Sequence, residues 1–371
     1  MTALDALAAQ GVSVWLDDLG RDRLRSGELA SLVGSGVKGV TTNPSIFAAA
    51  VSTGNAYAEQ LASLAGVPAD EALHTLMTVD VRQACDVLAD TYVRSAAVDG
   101  RVSLEVDPRL AYDTDATVAA AAKIWADVDQ PNVMVKIPAT KAGLPAITSS
   151  LAAGISINVT LIFGVDRYRE VQDAWLAGLE AAHARGHDLR SIGSVASFFV
   201  SRLDTAVDAR LDALSLEHPE GSYGQLRGRA AVANARQAYR QFHTMLGQER
   251  WKALAAVGAQ PQRPLWASTS TKDPTFSPTR YVDELVAPQT VNTMPSRTLD
   301  AVSRASSPAR AAIDLSERAA HDDAQLFTDL AAVGIGYREV VDGLEEAGVQ
   351  SFIDAWSTLI ALVTEAQAAQ A

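Results

Sequence analysis

Val133-Met134-Val135-Lys136-Ile137-Pro138 places one cation inside an otherwise apolar run. The run predicts a strand, and a strand interior is costly ground for an ammonium because burial without a partner disfavours the charged form. That cost suits one chemistry. A neutral, desolvated amine attacks carbonyl carbon, which makes Lys136 a candidate Schiff-base nucleophile toward a sugar or keto substrate. The alternative for these six residues alone is a lysine at a strand end whose head reaches water. The chain holds only six lysines, Lys38, Lys123, Lys136, Lys141, Lys252 and Lys272.

Short β-rich runs alternate with longer helical segments along the whole chain, the pattern of a parallel sheet with crossover helices. Strands are predicted over residues 12–17, 39–43, 102–107, 132–137, 156–163, 192–200, 264–269 and 284–287. Eight is the number that closes an α/β barrel, so the expected fold class is a (β/α)8 TIM barrel with additional helices. Helices are predicted over 115–128, 166–185 and 227–256, several opening with an Asp, Ser or Thr able to cap them. Residues 203–263 exceed one crossover and predict two helices broken at Pro219-Glu220-Gly221-Ser222. From about 307 to 371 the chain predicts a helical C-terminal extension with an apolar stripe of Phe352, Trp356, Ile360 and Val363, a candidate cover for the barrel mouth. No repeat or low-complexity linker interrupts residues 1–371, so a single domain is expected.

Side chains alternate faces along a strand, and this parity groups the polar residues. Ser103, Glu105 and Asp107 oppose Val102, Leu104 and Val106; Asn132, Met134 and Lys136 oppose Val133, Val135 and Ile137; Ser156, Asn158 and Thr160 oppose Ile157, Val159 and Leu161. Asp17 opposes Val14 and Leu16, Thr41 shares a face with Asn43, and Trp266 and Ser268 oppose Leu265 and Ala267. The apolar face is expected to turn outward under the helices and the polar face inward. An amine, carboxylates, amides and hydroxyls converging at one level make a reaction site in which each polar group finds a partner. Glu105 and Asp17 are the titratable partners that imine chemistry needs, since carbinolamine formation, dehydration and C–C cleavage each move a proton.

Composition narrows the alternatives. A net charge of −13, with no basic tract, lacks the footprint of a nucleic-acid binder. The single cysteine, Cys85, cannot form an intrachain disulfide, sits in a helical context as a packed small residue, and suits a reducing, cytoplasmic location. The first residues lack a basic region followed by an apolar run, and no later segment is expected to span a bilayer. His183 and His187 are four apart but lack the following Glu of a zinc-protease helix, and a solvated helix end is expected there. No Cys-x-x-Cys, phosphate loop or Gly-x-Gly-x-x-Gly occurs, so no metal, nucleotide or flavin is expected.

Six motifs, in order, carry a family resemblance: Gly39-Val40-Thr41-Thr42-Asn43-Pro44-Ser45-Ile46-Phe47, Ser103-Leu104-Glu105-Val106-Asp107, Tyr112-Asp113-Thr114, Val135-Lys136-Ile137-Pro138-Ala139-Thr140, Ile157-Asn158-Val159-Thr160-Leu161-Ile162-Phe163 and Ser197-Phe198-Phe199-Val200-Ser201-Arg202. Together, from about Ser13 to Pro295, they resemble the transaldolase family of class I aldolases. The resemblance implies Lys136 as Schiff-base lysine, Glu105 as the glutamate working through a water, and Asp17 as acid/base, with the adjacent Asp18 turned outward by parity. It implies that Thr41, Asn43, Asn158, Thr160 and Ser197 hold the dihydroxyacetone portion or order the water, and that Phe199 and Ser268 lie at the substrate. Arg202 matches a phosphate-binding arginine. The second phosphate arginine of better-known members, soon after the serine of the seventh strand, is missing from Trp266-Ala267-Ser268-Thr269-Ser270-Thr271-Lys272, where Lys272 offers a point charge in its place.

The implied activity is transfer of a dihydroxyacetone unit between sugar phosphates, with no cofactor, no nucleic-acid or membrane partner, and a monomer or homodimer as the assembly. A fructose-6-phosphate aldolase-like lyase is the nearest rival. A barrel that only binds sugar phosphates for regulation is the other, and it predicts a broken lysine, aspartate and glutamate set.

Overall fold

The computed structural model describes residues 2–52, 55–305 and 312–368. Eight strands, β1 (Val12–Asp17), β2 (Gly39–Thr41), β3 (Arg101–Glu105), β4 (Val133–Pro138), β5 (Ile157–Ile162), β6 (Ser194–Phe199), β7 (Arg263–Ala267) and β8 (Thr290–Met294), pair in sequence order. Every pairing is parallel, and β8 returns to β1 to close the expected barrel. Closure leaves no open edge, so the strand ends converge on one mouth where loops can build a site. At the opposite end Trp15 and Gly39 are register partners, and a Cβ on Gly39 would stand 2.5 Å from the indole. Only glycine lets the ring lie across the strand there.

Local rules set the helix starts. Asp113 accepts from the Ala116 N–H at 3.0 Å and caps Thr114–Val128, and Ser316 caps Glu317–Ala332 through the Ala319 N–H at 3.2 Å. Cys85 is buried in Ala69–Arg94, where burial raises its thiol. His183 and His187 are exposed at the end of Val165–Ala184.

The eighth strand lies later than predicted. Residues 284–287 form a turn and loop after the short helix Arg280–Asp283, with Leu285, Val286 and Ala287 buried beneath it. Thr290-Val291-Asn292-Thr293-Met294 makes the strand despite fewer apolar residues, because bonds to both β1 and β7 hold it. The predicted helix over 227–256 is two helices, Ala230–Leu246 and Glu249–Ala256, separated where Gln248 turns extended. The break predicted at residues 219–222 is present.

In the C-terminal segment, residues 307–311 and 369–371 lie outside the described residues; within it run Glu317–Ala332 and the 32-residue helix Tyr337–Ala368. By length and composition that last helix could cross a membrane, contrary to the expectation that no segment could. Here its apolar face is folded back on the barrel, with Val349, Phe352, Trp356, Leu359 and Val363 buried. Leu359, rather than Ile360, belongs to the fully buried stripe.

Candidate active site

Strand register brings the chemistry together. In parallel neighbours, residues at one level face the same side, and Glu105, Lys136 and Asn158 are successive partners across β3, β4 and β5. Asp17 and Thr41 are partners across β1 and β2. Lys136 and Glu105 are 5% and 4% exposed, and Lys136 Nζ stands 3.3 Å from Glu105 Oε1 while donating to the Thr42 carbonyl at 2.9 Å. The buried amine therefore has a partner, unlike the unpaired cation that its strand alone suggests.

Around this pair the polar side chains bind one another. Asn158 donates to Ser103 Oγ at 3.0 Å and accepts from Ser197 Oγ at 2.7 Å, fixing its amide. Thr41 Oγ1 lies 2.7 Å from Asp17 Oδ1 and 2.6 Å from Thr293 Oγ1. Thr160 is buried, and among the described residues its hydroxyl has no hydrogen-bond partner. A cavity of about 200 Å³ above them is lined by Asp17, Thr41, Asn43, Lys136, Ser197 and Phe199 toward the floor, and by Arg202, Ser268 and Lys272 at the rim. Asp18 faces a second cavity of about 570 Å³ instead, bound to Arg23 at 2.9 Å and Ser296 at 2.7 Å, while Asp17 borders both.

Two positions break the expected parity. Ala267 lines the cavity, whereas Trp266 packs edge-on against Phe198 on the helix-covered side, so β7 presents the opposite face from the one anticipated. Ser268 still reaches the cavity because it lies past the strand end with φ of 55°, which swings its side chain around. Asp107 leaves the polar group altogether, since it caps the turn Pro108–Leu110 and chelates Arg109. Asn132 sits just before β4 and ties it to Cys85 and Gly100 carbonyls. Thr293 and Phe352 complete the cavity wall and were not singled out as site residues from the sequence. The misplaced eighth strand hid the first, and the apolar stripe was the only signal for the second.

Electrostatics distinguishes the two carboxylates from ordinary surface acids. Burial raises Asp17, opposed by the Lys136 charge and the Thr41 bond. Burial pushes Glu105 up to about 7, against the pull of Lys136. Glu105 Oε1 faces the Lys136 amine, and among the described residues Oε2 has no hydrogen-bond partner, which leaves it for a reacting group. A carboxyl titrating near neutrality can both give and take a proton. Because the folded value lies above the ordinary 4.5, the folded state keeps a proton that the unfolded chain loses. Stability from this group is thus full below 4.5 and lost as pH rises to about 7. Glu105→Gln removes that loss, on the order of 3 kcal/mol. The melting temperature of the variant relative to the unsubstituted chain should become more favourable from pH 5 to pH 8; a difference independent of pH would contradict the assignment.

At the rim, Arg202 sits in the first turn of the helix Ser201–Glu217, and burial lowers its pKa. Lys272 donates to Ser270 Oγ at 2.9 Å, and its pKa is lowered by burial and by the charges of Arg202 and Arg297. Among the described residues none of these three cations pairs with a carboxylate. Unpaired cations beside a helix N-terminus suit an anionic group such as a phosphate.

Residues 14–363 match the family model described as transaldolase/fructose-6-phosphate aldolase. The chain belongs to this family. It is 56% identical to transaldolase 1 of Streptomyces coelicolor, over 98% of this chain and 94% of that protein. It is 54% identical to the transaldolase of Mycolicibacterium paratuberculosis, over 96% and 95% of the two chains, and 52% identical to that of Thermobifida fusca, over 99% and 98%. Coverage at both ends means that the C-terminal helices belong to the shared length.

Proposed function

We propose that this barrel carries out a transaldolase reaction through a Schiff base on Lys136, moving a dihydroxyacetone unit from sedoheptulose 7-phosphate to glyceraldehyde 3-phosphate to give erythrose 4-phosphate and fructose 6-phosphate. The observation that carries the reading is the Lys136 amine, 3.3 Å from Glu105 on the floor of a cavity that also holds Asp17. Lys136 attacks the ketone carbon. Glu105, acting through a water, supplies and removes the protons as the carbinolamine loses hydroxide as water. Asp17 takes the C4 hydroxyl proton, the C3–C4 bond breaks, and the protonated imine accepts the electron pair. An aldose phosphate leaves and a three-carbon enamine remains on Lys136, held by Thr41, Asn43, Asn158, Thr160 and Ser197 until a second aldose arrives. The reverse steps then release the new ketose. Phe199 and Ser268 wall the substrate, and Arg202 with Lys272 holds its phosphate.

The whole chain acts in this reading as one barrel domain, a cytoplasmic enzyme that works as monomer or homodimer without nucleic-acid or membrane partners. The net charge of −13 and the lone buried cysteine support it. Arg202→Ala tests the phosphate assignment. The KM for fructose 6-phosphate should rise roughly 10- to 100-fold, the loss of one charge-assisted contact, with a much smaller change for an unphosphorylated donor. Equal effects on both donors would remove Arg202 from the phosphate site.

A further inference from the structure

We infer that Phe352 roofs the reaction chamber and protects the three-carbon enamine from discharge to water, so that the barrel transfers the unit rather than releasing it; this rests on the Schiff-base reading above. The helix Tyr337–Ala368 crosses the barrel mouth and is tied at both ends. Near its start the Tyr337 hydroxyl accepts from Val165 N–H at 3.0 Å and donates to Asn234 Oδ1 at 2.6 Å, and Glu345 takes both arms of Arg167 at 3.0 and 3.2 Å. Near its end Gln367 donates to the Leu64 and Val67 carbonyls at 2.8 and 3.1 Å.

Between these anchors Gly348 lets the helix settle on the end of β5. A Cβ there would stand 3.2 Å from Leu161 Cδ2 and 3.3 Å from the Phe163 ring. Phe352 is one turn further on the same face. Its ring centroid lies 5.8 Å from Lys136 Nζ, and it lines the cavity with Asp17 and Lys136 while itself buried. The larger cavity, sharing Asp17, Asn43, Ser45 and Pro295 with the first, leaves a way in beside the helix.

The enamine has two fates. Its nucleophilic carbon can bond to an aldose carbonyl, or it can take a proton. In the second case water adds to the imine carbon, the carbinolamine collapses, and dihydroxyacetone leaves as the Lys136 amine is regenerated, one water consumed overall. The water that Glu105 uses acts at the imine carbon in both fates; what sets discharge apart is the proton on the enamine carbon, which bulk solvent would supply, and the ring stands between that solvent and the chamber. An aromatic face offers neither donor nor acceptor to conduct water, and its π-cloud steadies the protonated imine.

The test compares the intact chain with Phe352→Ala and Phe352→Leu on fructose 6-phosphate. Dihydroxyacetone released without acceptor is divided by transfer to erythrose 4-phosphate, and the borohydride adduct on Lys136 is mapped in parallel. That ratio should rise about tenfold or more for alanine and a few-fold for leucine, with the adduct still on Lys136. Leucine keeps the packing, so the comparison survives if the alanine variant folds poorly. A ratio within about twofold of the original in folded variants that form the adduct would overturn the roof. Absence of the adduct in the unsubstituted chain would instead overturn the Schiff-base reading beneath it.

Discussion

Lys136→Ala should abolish transfer of the three-carbon unit, lowering kcat by on the order of 10⁴-fold or more while the barrel remains folded. No other lysine can take its place. Lys141 and Lys252 are exposed and bound to Glu170 and Glu249, Lys123 pairs with Asp127, Lys38 precedes β2 at the end of that strand away from Thr41, and Lys272 stands at the rim rather than on the floor. Among the described residues, Lys136 is the lysine that both lines the cavity and pairs with a buried carboxylate. Alanine leaves Glu105 without its cation, but burial already pushes that carboxyl up to about 7, so it can take a proton and spare the fold an unpaired charge. Turnover measured by coupled assay, together with circular dichroism, separates loss of chemistry from loss of fold. Residual activity within about a hundredfold of the original would require another nucleophile.

Asp17→Ala has the second large expected effect, and it falls on a different step. Without the carboxylate the C4 hydroxyl keeps its proton, so kcat should fall by about 10²- to 10⁴-fold, the usual contribution of a general base. Imine formation should continue, because it relies on Lys136 and Glu105. Borohydride should therefore trap the whole phosphorylated six-carbon ketose on the variant, where the original chain traps the three-carbon fragment. A three-carbon adduct accumulating at the original rate in Asp17→Ala would show that another group takes the proton. Asp18→Ala is the natural contrast, since its carboxylate is held by Arg23 and Ser296 on the far side of the strand end.

Most of this site was legible because the barrel converts parity into proximity. Alternation in β1 to β5 told which face each side chain takes, and the parallel register then placed Glu105, Lys136 and Asn158 at one level. What the sequence concealed has local causes. Thr290-Val291-Asn292-Thr293-Met294 reads as weakly apolar, while the richer run Leu285-Val286-Ala287 buries itself as a loop, so burial there mimics a strand. β7 reversed its expected face because alanine and serine, both small, leave parity undetermined where Trp266 could pack on either side. The positive φ at Ser268 then delivered the hydroxyl by backbone geometry that no alternation rule describes. Phe352 stood in a recognised apolar stripe, but only the fold shows that this face meets the amine rather than merely a core.

The most direct measurement is reductive trapping with borohydride in the presence of fructose 6-phosphate, followed by mass mapping of the peptides. The buried pair predicts one added three-carbon fragment, located on the peptide that contains Val133-Met134-Val135-Lys136. A fragment found on any other lysine, or turnover without any trapped fragment, would contradict the covalent mechanism.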